Sequence, residues 1–415
     1  MTDEERGPIR RPALSRCIRV DEQVFADEYW GRRALLSTAE ELAARPGNEH
    51  GFEDLFTAAS VDELVTRRGV RTPFIRMARE GTVLPPSAFT ASGGFGAEVG
   101  DQVASEKVLK EFAAGATIVL QGLHRLWPPI IDFTRELVAD IGYPAQVNAY
   151  VTPPSSQGFS PHYDTHDVFV LQVAGEKHWV IHEPVLDNPL ASQPWGEVGA
   201  EVAERAKGEP AIDAVLRPGD ALYLPRGWIH SATALGDTSV HLTVGMSAYT
   251  GADVIDALLG VIRDVPDLRA SLPLGVDLTD AGQLEGVVTR TVARLTEALT
   301  GADAGAVSRA LSSRFERSVR PEPVAPLAAV AAAAALTAET VVRWRAGVRV
   351  RLEDAGERVR IVTPGVTLGL PVEARAALEA LAQGRPITVG RLPGVDADSA
   401  VVVVRRLLRE GLVVA

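Results

Sequence analysis

Cysteine is nearly absent: Cys17 is the single one in 415 residues. No internal disulfide can form, which suits a reducing compartment such as the cytoplasm. Lysine is almost as rare, with four (Lys107, Lys110, Lys177 and Lys207) among 42 basic residues. That preference for arginine reads as the trace of a GC-rich coding sequence, and it makes each retained lysine worth a look. Long apolar runs are missing too. The longest, from Ala325 to Leu336, is mostly alanine and falls short of the roughly 20 residues that cross a bilayer. The opening MTDEERGPIRRP is charged with no apolar stretch behind it, so neither a signal peptide nor a membrane span is expected. Positive charge is in deficit, 42 basic against 54 acidic residues for a net charge of −12. Nucleic-acid binding by the chain as a whole is therefore not expected, although local patches stay open. With 46% hydrophobic and 23% charged residues, the composition is globular and excludes a disordered, collagen-like or fibrous chain. The length fits two or three domains of about 100–200 residues each.

What is present changes character along the chain. Up to about residue 145 the pattern mixes helix and strand, with helices predicted over 21–30, 61–67, 105–113 and 128–141, the last stopped by Gly142. From 146 to 249 short β-rich runs alternate with Pro/Gly turns: 146–152, 167–173, 177–181, 221–224 and 240–246. Such spacing predicts an antiparallel sandwich or small barrel. After Gly251 the strands stop, and helical spacing covers 253–264, 282–299 and 308–318. Pro321, Pro323 and Pro326 mark a linker before an alanine-rich helix. The tail reads as a hairpin of 348–352 with 358–362, helices over 372–382 and 397–409, and a short strand over 412–415. This helix, helix, strand order resembles a winged helix.

Histidine is scarce as well, eight in all, yet six lie between His162 and His241. His162 and Asp164 stand two apart in an extended stretch, so both side chains point to one face. His230 follows the turn Pro225-Arg226-Gly227. Two imidazoles and one carboxylate on one side of a metal make the facial triad of non-haem Fe(II) oxygenases. Three protein ligands leave three positions open, two for a bidentate co-substrate and one for dioxygen. A His-x-Asp pair alone is common on surfaces, and the second histidine in a strand-rich region strengthens the metal reading. Lys177 strengthens it further. It is expected just past a turn at 174–176, entering the barrel, where an unpaired ammonium would be costly. The distal carboxylate of 2-oxoglutarate would supply the missing anion; the bland alternative is an exposed hairpin lysine.

PHYDTHDVFVLQVAGEKHW, preceded by NAYVTPPSSQGFS and followed by LPRGWIHSA and VHLTVGMS, resembles the JmjC domain. More narrowly it resembles the ribosomal oxygenases, JmjC enzymes that hydroxylate a residue of a ribosomal protein. FADEYWGRRALL, beginning at Phe25, is similar to that group's N-terminal signature. The resemblance implies a mixed α and β chain in three parts. Residues 1–250 would form a double-stranded β-helix (a cupin or JmjC jelly-roll barrel) with N-terminal α/β elements, 251–325 a helical dimerisation domain, and 326–415 a winged helix. Only 146–247 carries specific motifs; the last two parts match by pattern alone.

Carried over residue by residue, the resemblance implies that His162, Asp164 and His230 bind Fe(II) and carry catalysis. Lys177 would pair with the far carboxylate of 2-oxoglutarate, Asn148 would lie near the co-substrate, and Tyr150 would contact co-substrate or substrate. Where the family often has a serine on the last strand this chain has Gly245, with Ser247 two positions on as the nearest substitute. His166 is expected at the substrate entrance or the surface. His178, His182 and His241 read as structural, His124 as support for the barrel, Cys17 as inert, and 91–96 as a loop without a phosphate cradle.

The expected activity is Fe(II)- and 2-oxoglutarate-dependent hydroxylation of an arginine or histidine side chain of a protein, a ribosomal protein first, by a cytoplasmic homodimer. The same chemistry on a small molecule or peptide natural product, lysine demethylation, and a non-catalytic JmjC-like scaffold stay open as alternatives. From Val341 to Ala415, twelve arginines face eight acidic residues. That mixed surface favours packing and leaves direct nucleic-acid contact undecided.

Overall fold

The computed structural model describes residues 11–45, 51–79, 81–96, 98–154, 156 and 160–415. The chain divides into two compact units, one ending at Ala248 and one beginning at Tyr249. The first contains β1 (Leu35–Ser37), β2 (Ile75–Arg79), β3 (Thr82–Val83), β4 (Thr90–Ala91), β5 (Gln102–Val103), β6 (Thr117–Leu120), β7 (Ala145–Thr152), β8 (Asp167–His182), β9 (Ile212–Leu216), β10 (Ala221–Leu224) and β11 (Ile229–Met246). Nine of these make one antiparallel sheet in the order β1-β10-β8-β11-β7-β6-β2-β3, with β9 beside β8, while β4 and β5 pair apart from it. Inward side chains from β2, β6, β7, β8, β10 and β11 all meet one cavity, so the sheet curls around it.

The separate strands expected at 167–173 and 177–181 are one strand, and the strand expected at 240–246 begins earlier, at Ile229. β8 runs unbroken through Gly175, which sits at φ +63°. Opposite it, the register of β11 slips between Leu235 and Val240 and again between Val240 and His241, where Val173 is left over as an extra residue of β8. Only glycine fits at 175: the residue is left-handed, and a β-carbon would collide with the carbonyl of Thr238. This is a β-bulge in place of a turn, and it alters which residues face inward. Before it Val168 and Val170 line the cavity; after it Lys177 and Trp179 do. Even positions give way to odd ones. Without the extra residue Lys177 would face outward.

Helix Pro128–Ile141 starts with prolines in its first turn and ends at left-handed Gly142, as its sequence dictates. It buries Ile130, Phe133 and Leu137. The helix expected over 21–30 is a short α-helical turn, Glu22–Val24, continued by a π-helical turn, Phe25–Tyr29. Phe25 is buried against Tyr223 and Phe169, with ring centroids 4.9 and 5.9 Å away, and the Gly31 N–H donates to the Tyr223 hydroxyl at 2.9 Å. The N-terminal segment is thereby fastened to the barrel.

In the second unit, helices Gly251–Ile262, Ala281–Thr300 and Ala304–Ser318 bury a single residue among them, Ile262. Helix Pro326–Ala335 follows, then β12 (Val341–Trp344), β13 (Arg351–Ala355), β14 (Arg358–Val362), β15 (Thr367–Pro371), β16 (Ile387–Thr388) and β17 (Val413–Val414). Helices Arg375–Ala382 and Ala397–Arg409 pack Leu378, Leu381, Val404 and Leu407 into a core with Trp344, Val359 and Ile361. The hairpin strand expected at 348–352 lies at Arg351–Ala355, because the tight turn falls on Gly356 and Glu357 between paired Ala355 and Arg358. Among the described residues no helix is long and apolar enough to cross a membrane.

Gly175→Ala is expected to lower unfolding stability by about 1–3 kcal/mol, since it adds both strain and a collision. Urea denaturation would show this as a lower midpoint; an unchanged midpoint would contradict the close approach of Gly175 to Thr238.

Candidate functional site

The cavity has a volume of about 370 Å³. Apolar walls come from Ala78, Val168, Val170, Trp179 and Leu224. Into it project His162, Asp164, Lys177 and His230, together with Tyr150.

Backbone contacts bring the two histidine-bearing segments together. His162 N–H donates to His230 O at 3.2 Å and His230 N–H to His162 O at 2.8 Å. Gly227 N–H donates to Asp164 O at 3.0 Å, and Arg226 N–H to the buried Asp167 carboxylate at 2.8 Å. Burial raises the Asp167 pKa against the opposing pull of Arg226. Gly227, at φ +88°, leaves no room for a β-carbon under Leu186 O and Pro189. The Pro-Arg-Gly turn is thus a spacer that sets His230 against His162.

Among the described residues no three His, Cys, Asp or Glu side chains are already drawn together as a metal cage; the donors stand as neighbouring pairs. The rings of His162 and His230 are 4.5 Å apart, and His230 Nε2 lies 3.8 Å from Asp164 Oδ2. Each Nδ1 sits against a backbone carbonyl, Ser160 O at 2.7 Å and Trp228 O at 3.0 Å. A carbonyl can only accept, so each Nδ1 carries the proton and each Nε2 presents a lone pair, the tautomer a metal needs. Burial first, then the neighbouring His162, hold His230 well below the ordinary imidazole range. The donor set fits a divalent metal bound on one face by two nitrogens and one carboxylate.

Lys177 is 3% exposed. Its Nζ donates to Thr152 Oγ1 at 3.0 Å and lies 5.9 Å from the Trp179 ring. Among the described residues no carboxylate pairs with it, and burial pulls its pKa down to about 7. It is not an exposed hairpin lysine. Tyr150 lies parallel to His241, centroids 5.1 Å apart. Asn148 shares a strand face with Tyr150 and Thr152 but does not line the cavity; its Oδ1 accepts from Gly122 N–H at 3.0 Å. Ser247 is exposed beyond the end of β11, its N–H donating to Pro144 O at 2.9 Å, and does not reach the cavity.

Gly245 gives that departure a physical cause. Its β-carbon would collide with the imidazole of half-buried His166, so that ring takes the space of a larger residue. His178 pairs with Asp213 at 2.5 Å, and His124 Nδ1 accepts from Val147 N–H at 3.1 Å. His241, expected as structural, forms part of the cavity wall, as do Arg76, Thr152, Trp179, Trp195 and Thr243. Strand alternation from Tyr150 to Thr152 and from Lys177 to Trp179 could have found two of these. Nothing in the sequence ties Arg76 or Trp195 to the site.

Gly245→Ser is expected to displace His166 and lower the thermal midpoint, and to cost markedly less on a His166→Ala background. Equal losses in the two backgrounds would contradict the packing of that pair.

Residues 129–254 match the JmjC domain family. A bifunctional lysine-specific demethylase and histidyl-hydroxylase NO66 of Drosophila persimilis is 41% identical over 138 residues, 31% of this chain and 19% of the relative. Ribosomal oxygenase 1 of Rattus norvegicus is 36% identical over 174 residues, 39% of this chain and 28% of the relative. The chain thus spans under a third of the length of these two curated relatives. The solved structure of YcfD, a ribosomal oxygenase from Escherichia coli, superposes with a TM-score of 0.52 at 18% identity, covering 96% of this chain and 98% of that one. That likeness shows the fold. In sequence, part of the chain is thus similar to JmjC-domain proteins that include ribosomal oxygenases.

Proposed function

We propose that this chain is an Fe(II)- and 2-oxoglutarate-dependent oxygenase that hydroxylates an arginine or histidine side chain of a protein, a ribosomal protein first. One observation carries the reading: a two-histidine, one-carboxylate donor set shares a cavity with a buried lysine that has no carboxylate partner among the described residues. Two solved structures of YcfD support it, one in complex with cobalt and 2-oxoglutarate and one with cobalt and succinic acid.

In this reading His162, Asp164 and His230 hold the iron on one face. When bound, iron with 2-oxoglutarate and dioxygen supplies the oxidising power to hydroxylate an unactivated C–H bond, releasing succinate and carbon dioxide. The chain's task is placement. Lys177, with Thr152, takes the far carboxylate of the co-substrate. Asn148 acts from behind, fixing the Gly122 turn to β7, and Tyr150 closes one wall. Val168, Val170 and Leu224 keep water from the reacting atoms. Trp195, 41% exposed and 6.2 Å from the His162 ring, offers the incoming side chain an aromatic face at the rim. Ser247 has no role here.

The helical part over 251–325 serves dimerisation. Its support is Ile255, Val288 and Val292, each more than half exposed on helices that bury only Ile262. The part over 326–415 is read as a winged helix that packs and supports, with nucleic-acid contact secondary, and the cytoplasm is the place of action. Light scattering is expected to give twice the chain mass of 44.2 kDa, and Val288→Glu with Val292→Glu to give the single mass. A parent mass near 44.2 kDa would remove the dimer.

Two measurements test the site. Asp164→Ala should abolish Mn(II) binding in calorimetry without lowering the melting temperature; retained binding would overturn the triad. The second is pH dependence. Without a partner Lys177 loses its proton near pH 7, while a bound carboxylate keeps it charged. Affinity for 2-oxoglutarate is then full below pH 7 and falls by up to about tenfold per pH unit above it. Its neighbours do not titrate there, since burial pushes the Tyr150 hydroxyl up and His241 well down. Lys177→Arg should flatten the profile, and a flat profile in the parent would contradict the role of Lys177.

A further inference from the structure

His241 is 3% exposed and lines the cavity. Its ring is fixed from two sides, parallel to Tyr150 at 5.1 Å and edge-on to Trp179 at 5.5 Å. Nδ1 is buried and has no hydrogen-bond partner among the described residues. Burial first, then the charges of Lys177 and His230, hold the imidazole neutral, so it keeps one N–H to donate. A buried polar nitrogen left unpartnered is costly and rare, and it calls for an explanation. Tyr150 does not answer it, because its ring stacks on the imidazole and its hydroxyl bonds to Arg76. Lys177, on the lining of the same cavity, poses the same question: its ammonium has the Thr152 hydroxyl and the Trp179 ring, and no carboxylate among the described residues.

A carboxylate has two oxygens and about four acceptor sites. One oxygen can meet the ammonium while the other meets the imidazole N–H. We propose that His241 is a second binding residue for the far carboxylate of the co-substrate, receiving one oxygen while Lys177 receives the other. The proposal rests on the co-substrate reading above and deepens it. Two donors on one carboxylate fix its orientation, and with it the length of diacid that reaches the metal.

Calorimetric titration of the Mn(II)-loaded protein with 2-oxoglutarate tests this without turnover. His241→Phe keeps the aromatic stack and removes the N–H, so Kd should rise about tenfold, the loss of one hydrogen bond to a charged group. His241→Asn restores a donor near Nδ1 and should recover most of that loss. Mn(II) affinity should not move and the melting temperature should not fall in either variant, which separates binding from a structural role. If the phenylalanine variant does not fold, His241→Leu reads the same loss. Kd in His241→Phe equal to the parent's would overturn the proposal and leave the co-substrate reading standing. No binding by the parent would overturn both.

Discussion

One residue's change of phase within a single strand decides on which side of the sheet Lys177 stands. β8 presents even-numbered side chains to the cavity before Gly175 and odd-numbered ones after it, and the matching slip in β11 lies directly opposite. The bulge carries the ammonium inside, where a lone charge is unfavourable by several kcal/mol. The chain meets that penalty by letting the lysine lose its proton readily and by surrounding it with groups that can share an anion. A slip of register next to a left-handed glycine thus places the one buried lysine of the cavity.

The metal-donor end depends on a different device. His162 and Asp164 precede β8, and His230 opens β11. Their alignment comes from main-chain hydrogen bonds between the two entry segments, reinforced by the Asp167 carboxylate on Arg226 N–H. Donor positions set by backbone tolerate changes in the surrounding side chains. Lys177 and His241, by contrast, sit on the strands themselves. The cavity therefore has the proposed metal donors at the entries of β8 and β11, and Lys177 and His241 farther along the same two strands.

The sequence made much of this legible because strand alternation and turn residues are local signals. His162 with Asp164, the turn before His230, and the helix from Pro128 to Gly142 all follow from short-range spacing. What escaped was non-local. Gly175 reads as a turn, because glycine serves turns and bulges alike and only the partner strand distinguishes them. Gly245 looks like the loss of a functional serine until the His166 ring is found in its space. Asn148 shares the right strand face but is engaged by Gly122, and His241 reads as structural because nothing local marks an unpartnered nitrogen. Arg76 and Trp195 reach the cavity from distant segments that carry no motif.

The central claim is that the triad and Lys177 act on one bound molecule. The most direct measurement is the visible spectrum of the metal-free protein after anaerobic addition of Fe(II) and then 2-oxoglutarate. A weak charge-transfer band is expected, lost in His162→Ala and weakened or shifted in Lys177→Ala. No band at saturating 2-oxoglutarate would contradict that claim, because the cavity would then not bring the co-substrate to the metal.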